Sequence, residues 1–349
     1  MEGLDFTEAF KHTHETINVE NLEALSKDRR LKGYWGTAPT GKPHVAYLFP
    51  ILSISRMIKQ GIDMTILIAD YHATLDNNKT EWEQLHAKTE YYILVIKELL
   101  RLTGVDPDGA AVKFVKGTDH QRGNPAYLDD LLKLSSKITV SIAKRATAEV
   151  VKCGSNPPLS NCIYPLMQVL DEVYLDTDFE FGGVDQRKIF MFGIDYLPRI
   201  GYGGARSYVM NPMIHSLGKS GKMSASDEKT KIDLMDDRET IMKKCRKAWC
   251  VDGEVADNGV LDMYKYIIFP MSKSITVTRP EKYGGDVFFA DYEALHQMFD
   301  AKEISSCDIK ETLGRELANI LEPLQDRLRD VKVIQEAYGM QGCSPERSI

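Results

Sequence analysis

Three groups of residues in this chain have types and spacings that could do chemistry. The first is Pro39-Thr40-Gly41-Lys42-Pro43-His44-Val45-Ala46-Tyr47. A Pro/Gly loop that runs into a helix carrying a histidine in its first turn suits a phosphate, through the helix dipole and the free N–H groups. It is not a P-loop, because Gly41-Lys42 lacks the upstream glycine and the following Ser or Thr, and it is not a Gly-x-Gly-x-x-Gly turn. The same residues also describe a helix that Pro43 starts and His44 caps. The second group is Gly218-Lys219-Ser220-Gly221-Lys222-Met223-Ser224-Ala225-Ser226, a glycine-flanked loop with two lysines. Alone it could be a surface loop or a weak anion site. The third is Tyr164, Gln168 and Asp171, which lie at i, i+4 and i+7 on one helix face. Ile163, Leu166, Leu170 and Val173 take the other face, and this spacing describes an amphipathic helix with one solvated side.

The elements that would position these groups alternate. Residues 4–32 are polar and helix-prone, with no strand signal. Gly33 to Thr37 reads as a short buried strand. A helix runs from His44 to Lys59 and stops at Gly61. Met64 to Ala69 is a buried strand. Thr80-Glu81-Trp82-Glu83 has capping-box form and opens a long helix that ends at Gly104. Val112 to Val115 is the next strand. Strand, helix, strand, helix, strand implies a parallel sheet with crossovers, a Rossmann-like α/β domain over residues 1–231, in which ligands collect at the carboxyl ends of the strands. A helical insertion at about 118–177 interrupts the sheet. Asp178 to Phe181 and Tyr208 to Asn211 restore it, with a helix from about Asp185. From 232 to 349 the pattern is mostly helical, a second domain, with two short extended runs around Gly284-Gly285.

Composition narrows the function classes. The 349 residues include 43% hydrophobic and 27% charged residues, which fits a globular protein of about two domains. No apolar run approaches the 20 or so residues of a membrane span, and Met1 to Asp5 has no signal-peptide character. The six cysteines show no Cys-x-x-Cys pair, so no zinc-site spacing is expected, and they read as the reduced thiols of a cytoplasmic protein. A net charge of −7 argues against a surface that binds nucleic acid all over, but leaves room for a local basic face such as Lys243, Lys244, Arg246 and Lys247.

The first two groups together resemble the signatures of class I aminoacyl-tRNA synthetases. His44-Val45-Ala46-Tyr47 stands where that family has HIGH, and Lys222-Met223-Ser224-Ala225-Ser226 where it has KMSKS. Tyr47 replaces the second histidine and Ala225 the second lysine. Several further segments resemble the archaeal/eukaryotic type of tyrosyl-tRNA synthetase. They are Tyr34-Trp35-Gly36-Thr37, Ala69-Asp70-Tyr71-His72-Ala73, Tyr164-Pro165 with Gln168 and Asp171, the run Phe181 to Lys188, Met210-Asn211-Pro212-Met213, and Arg279 to Gly285. The likeness extends over about residues 30–330.

That resemblance implies ATP-dependent activation of L-tyrosine to tyrosyl-adenylate and transfer to the 3′-terminal adenosine of tRNA(Tyr) in cytoplasmic translation. It implies Mg²⁺ with ATP as the substrate complex, no tightly bound cofactor, and a homodimer joined through the insertion. His44 and Lys222 would be catalytic. Tyr34, Tyr164, Gln168, Asp171 and Gln186 would hold tyrosine, with Tyr34 and Asp171 at the phenol. Gly36, Thr37, His44, Gly183, Asp185, Met213, Lys222, Met223 and Ser224 would meet ATP. Arg187 would face the tRNA acceptor stem, and Tyr283 and Asp308 the anticodon, in the helical domain. Lys219 is a conceivable substitute for the missing second lysine. Rival readings are a tryptophanyl-tRNA synthetase, a catalytically silent RNA-binding relative, and a small-molecule nucleotidyltransferase of similar topology. An indole is only a donor, whereas a phenol both donates and accepts.

Overall fold

The apolar runs read as strands pair into one sheet. The computed structural model describes residues 4–151, 156–219, 221, 223, 230–329 and 332–338. Its six strands are β1 Glu15–Ile17, β2 Lys32–Thr37, β3 Asp63–Ile68, β4 Val112–Lys116, β5 Phe179–Gly183 and β6 Ser207–Asn211, in the order β1-β6-β5-β2-β3-β4. Strands β2 to β6 are parallel, and β1 joins β6 antiparallel at the edge. Parallel neighbours need long crossovers. The helix Leu48–Lys59 carries the chain from β2 to β3, Trp82–Leu102 from β3 to β4, and Arg187–Tyr196 from β5 to β6. Gly61 and Gly104 end the first two of these crossovers with φ of +90° and +77°, where a side chain would be strained.

The order reverses at β2. β3 and β4 lie to one side of it, while β5 and β6 lie to the other. The connecting loops after β2 and β5 therefore leave in opposite directions and open a crevice at the carboxyl edge. Between β4 and β5 the chain forms the insertion, with the helices Gly117–Arg122, Pro125–Ser135, Val140–Ala146 and Ser160–Tyr174. The insertion has its own apolar cluster, built on Tyr127, Leu134, Leu166, Val169 and Leu170, which packs against Ile189 and Phe192 of the β5–β6 crossover.

The chain after residue 232 is mostly helical, with a small antiparallel pair β7 Ile275–Val277 and β8 Val287–Phe289. Its buried Ile241, Leu313, Leu317 and Leu321 belong to the same apolar cluster as Leu48, Ile54 and Val95 of the first half. The change of architecture at 232 thus crosses one continuous core.

Two expectations are corrected. Residues 4–32 do contain a strand, β1, which carries too few residues to show an alternation. It is secured by pairing: His14 N–H donates to Met210 O at 2.7 Å, and Asn18 Nδ2 to Arg206 O at 2.7 Å. The capping box at Thr80 does not form. Glu81 is the residue before the helix, with no side-chain cap, and Thr80 is fully buried. Its Oγ1 donates instead to Pro39 O at 2.7 Å, a tertiary partner that outcompetes the local one.

That bond is one of three that hold the Pro/Gly loop after β2. Tyr92 and Tyr338 hydroxyls both donate to Gly41 O, at 2.6 and 3.0 Å. Replacing Thr80 by Val is expected to lower unfolding stability by about 1–3 kcal/mol, because the bond to Pro39 O and the one accepted from Lys88 Nζ at 3.3 Å are both lost. Urea titration with unchanged helical circular dichroism would show that a loop anchor, not a helix cap, was lost.

Candidate active site

Two adjoining cavities occupy the crevice. One, of about 320 Å³, is walled by Tyr34, Gly36 and Thr37 of β2, by Tyr164, Gln168 and Asp171 of the helix Ser160–Tyr174, and by Gln186 beyond β5. The other, of about 170 Å³, is walled by Met213, Met223, Ala46 and Phe49. Trp35, Gly182, Gly183 and Asp185 border both, so the two form one cleft. The Asp185 carboxylate folds back over Gly183, so that a Cβ there would lie 2.4 Å from it and the aspartate side chain would have to move.

The polar face of the helix Ser160–Tyr174 is not solvated. Tyr164 is 8% and Asp171 1% exposed, against the expectation of a wet side. A buried carboxylate needs donors. Asp171 Oδ1 accepts from Tyr127 hydroxyl at 2.9 Å and from Gln121 Nε2 at 3.0 Å, and Gln121 also reaches Oδ2 at 3.3 Å. His120 Nε2 lies 3.3 Å from Oδ1. The better bonds fall on Oδ1 and leave Oδ2 the freer oxygen. Tyr34 is 1% exposed and its hydroxyl has no partner among the described residues. Burial, then Glu180, Glu172 and Asp171, hold that phenol well above its ordinary value, so it stays protonated and able to donate. At the other end of the cavity, Gln168 Nε2 donates to Glu180 Oε1 at 3.0 Å and to Gln186 Oε1 at 3.1 Å. The cavity therefore pairs a donor–acceptor end at Tyr34 and Asp171 with an amide-rich end at Gln168 and Gln186.

His44 is buried and borders neither cavity. It precedes the single turn Val45–Tyr47, and its ring packs edge-on to Tyr47 at 5.4 Å. A strap at 231–234 covers it: Val45 N–H donates to Ile232 O at 2.9 Å, and His44 bridges Asp233. Burial, followed by the charge of Lys231, pushes the imidazole down to about 4. It is neutral at pH 7, a single N–H donor and not a cation. Tyr47 is on the wall instead, with its hydroxyl 3.1 Å from Thr37 Oγ1. Lys222 and Ser224 lie outside the described residues. Lys219 is described and exposed.

The remaining expected residues lie elsewhere. Arg187 makes a two-pronged ion pair with Glu15 of β1, Nε to Oε2 at 2.8 Å and Nη2 to Oε1 at 3.0 Å. Tyr283 is 61% exposed in a turn, with Lys282 Nζ 4.8 Å from its ring. Asp308 sits in the first turn of Ser306–Leu328, and Ser305 Oγ donates to its Oδ2 at 2.8 Å. Arg279 ties these two regions, donating to Gly285 O at 2.7 Å and to Glu303 O at 3.1 Å. The basic run 243–247 is half neutralised: Lys244 pairs with Asp236 at 2.6 Å and the exposed Arg246 with Glu311 at 2.6 Å, while Lys243 and Lys247 are exposed as well. Gln121, Tyr127 and Glu180 were missed in the sequence. Gln121 and Tyr127 act on the site through Asp171, whereas Glu180 lines the cavity itself, and no spacing marks either role. Among the described residues no group of His, Cys, Asp or Glu could hold a metal ion, and no helix is long and apolar enough to cross a membrane.

A doubly wound sheet with a polar cleft at its switch point defines an α/β protein built to hold small ligands. A family model described as "tRNA synthetases class I (W and Y)" matches residues 26–322. Over 94% of this chain a tyrosine–tRNA ligase of Danio rerio, named cytoplasmic, is 45% identical, and 62% of that protein is covered. The Saccharomyces cerevisiae cytoplasmic tyrosine–tRNA ligase is 39% identical over 99% of this chain and 91% of its own length. The tyrosyl-tRNA synthetase of Archaeoglobus fulgidus, solved with L-tyrosine, superposes with a TM-score of 0.84 at 32% identity, over 92% of this chain and 98% of that one. The chain belongs to this family, among the archaeal and eukaryotic tyrosyl-tRNA synthetases. It spans about six-tenths of the length of the vertebrate relatives it matches.

The neutral state of His44 has a measurable sign. The folded chain binds fewer protons at this group than the unfolded chain between pH 6.5 and about 4, so its contribution to stability falls as pH drops through that window. His44→Asn is expected to flatten the acid side of the Tm profile, and the imidazole NMR signal should stay in its neutral position down to about pH 5.

Proposed function

We propose that this protein is a tyrosine–tRNA ligase of cytoplasmic translation. It would activate L-tyrosine with ATP to tyrosyl-adenylate and pyrophosphate, then pass the tyrosyl group to the terminal adenosine of tRNA(Tyr). The observation that carries the reading is the pairing of a protonated Tyr34 hydroxyl with the anchored Asp171 carboxylate at the buried end of the cavity. A phenol entering there can accept from Tyr34 and donate to Asp171. A phenylalanine ring would leave both groups dry and unpaired. The tyrosyl-tRNA synthetases are themselves the reference case for this penalty, a discrimination of about 10⁵.

Tyrosine's α-amino group would lie at the other end, against Gln168, Gln186 and Tyr164. Its carboxylate would then point toward Gly36, Thr37, Gly183 and Asp185, where ATP enters across the second cavity past Met213 and Met223. The carboxylate attacks the α-phosphorus and pyrophosphate leaves, so the protein has to align the pair and offset charge on the phosphate oxygens. His44 supports this from behind, as a neutral group packed on Tyr47. Lys222, with Met223 and Ser224 on the second loop, would supply positive charge from the other side, and Mg²⁺ would arrive with ATP.

The insertion is assigned to a homodimer contact. Leu128 and Leu132, one turn apart, are each 60% exposed, and Val140 and Leu159 of the same insertion are exposed too. Such apolar exposure on a separate subdomain suits a partner copy. For tRNA, Arg187 would have to exchange its bond to Glu15 for the acceptor stem. The helical part from 232 would bind the anticodon, with Tyr283 stacking on a base and Asp308 accepting a hydrogen bond from it.

The test is ATP–pyrophosphate exchange with tyrosine, tryptophan and phenylalanine in turn, without tRNA. Exchange with tyrosine alone is expected, and exchange with tryptophan would move the protein to the sister enzyme. Asp171→Ala should cut kcat/KM for tyrosine by at least about a hundredfold and leave KM for ATP within about twofold. Normal activation by this variant would remove Asp171 from the pocket. Tyr283→Ala should lower tRNA charging about tenfold, through the roughly 1–3 kcal/mol of one stacked base, and spare exchange.

A further inference from the structure

At the amide-rich end of the cleft lies a pair of buried carboxyl groups that the proposed reaction does not use, Glu180 in the cavity wall and Glu172 behind it. Glu180 on β5 and Glu172 on the helix Ser160–Tyr174 are each 5% exposed, and their carboxyl groups interact directly. Glu180 Oε1 accepts from Gln168 Nε2 at 3.0 Å, and Glu172 Oε2 accepts from Tyr208 hydroxyl at 2.9 Å. The other two oxygens, Glu172 Oε1 and Glu180 Oε2, have no donor among the described residues. Every element packed here adds to the account. The helix brings Asp171, another negative charge, and Gln168. β2 brings the neutral Tyr34, and β6 brings Tyr208. The one nearby cation is Arg206, just before β6, with Nη1 3.7 Å from Glu172 Oε2. Two adjacent buried carboxylates beside Asp171 are not both held ionised by a single guanidinium. One proton shared by the two carboxyl groups relieves this repulsion.

We propose that Glu180, sharing one proton with Glu172, is a positioning residue that fixes the Gln168 amide with its carbonyl oxygen turned into the cleft, ready to accept from the α-ammonium of an amino-acid substrate. Both hydrogens of Gln168 Nε2 are committed, one to Glu180 and one to Gln186. A flipped amide would set its oxygen against the acceptor oxygen of Glu180. With the shared proton on the far side of the pair, Glu180 Oε1 remains an acceptor whichever carboxyl carries it. Burial pushes Glu172 up to about 7 and Glu180 well above its ordinary range, which is what proton sharing requires at neutral pH. This rests on the cleft being an amino-acid pocket, as proposed above.

The test compares the native chain with Glu180→Gln and Glu180→Leu. Glutamine can donate to Glu172 and still accept from Gln168, whereas leucine can do neither. Glu180→Leu is expected to raise KM for tyrosine in pyrophosphate exchange about tenfold, with kcat and KM for ATP within about twofold, and Glu180→Gln to rescue most of that loss. An unchanged KM in a folded Glu180→Leu variant overturns the positioning role, and so does a Glu180→Gln variant as impaired as Glu180→Leu. Tm from pH 5 to 8 tests the proton separately. The folded pair holds more protons than the unfolded chain above pH 4.5, so native stability should fall as pH rises toward 7. Glu180→Gln should flatten that fall, and an unchanged slope overturns the shared proton. If the native chain shows no exchange with tyrosine, the proposed function fails and the positioning role with it, while the Tm comparison still decides the proton.

Discussion

A carboxylate that is 1% exposed can stay in a protein interior only if donors are built around it. Asp171 is such a group, and much of the first half of the chain is arranged to keep it there. Its donors, Gln121 and Tyr127, come from the two helices that open the insertion, while Asp171 itself comes from the helix that closes it. The carboxylate therefore stitches the insertion to itself across one wall of the cleft. The same wall carries Tyr164 and Gln168, so the bonds that pay for burying Asp171 also fix the other polar side chains on that helix face. Glu172 and Glu180 extend this polar layer to β5.

The opposite wall is built from backbone. The turn after β2 places no long charged side chain in the cleft. It is held from below by Thr80 and Tyr92, at the approach to and within the helix Trp82–Leu102, and by Tyr338 near the far end of the chain, and from the side by the strap at 231–234. Loops set in this way behave like part of the sheet, and a site built on them keeps its geometry. The histidine of that turn is under the strap with its charge removed by burial. Tyr47 has the place on the wall that the motif comparison would give to a second histidine, and it meets Thr37 across the mouth of β2.

Net charge is a poor guide to what such a surface contacts. Of the basic residues at 243–247, two are spent on Asp236 and Glu311, and Arg187 is spent on Glu15. Each is a partly exposed pair worth little by itself, and each can be exchanged for a phosphate or a base at small cost. An acidic chain can in this way hold arginines in position until a polyanion displaces their partners.

The parallel elements of the sheet were legible in the sequence, because a buried parallel strand and its crossover helix are local patterns: β3 is mostly apolar and ends in Ile66-Leu67-Ile68, and Gly61 and Gly104 end their helices at positions only glycine fills without strain. The cleft residues Tyr34, Gln168 and Asp171 were legible only by likeness to a family, since Gln168 and Asp171 have the spacing of any amphipathic helix and Tyr34 sits in a short strand with no feature of its own. The tertiary structure alone decided three things. It buried the polar helix face, because the insertion folds back over it. It turned Thr80 from a helix cap into a loop anchor, because Pro39 O lay within reach. It brought Glu180 against Glu172, because β5 runs beside the helix that precedes it. Partners far apart in the chain leave no periodicity, so the sequence determined which segments fold and what they could carry, and the packing determined which of those groups are dry, paired and charged.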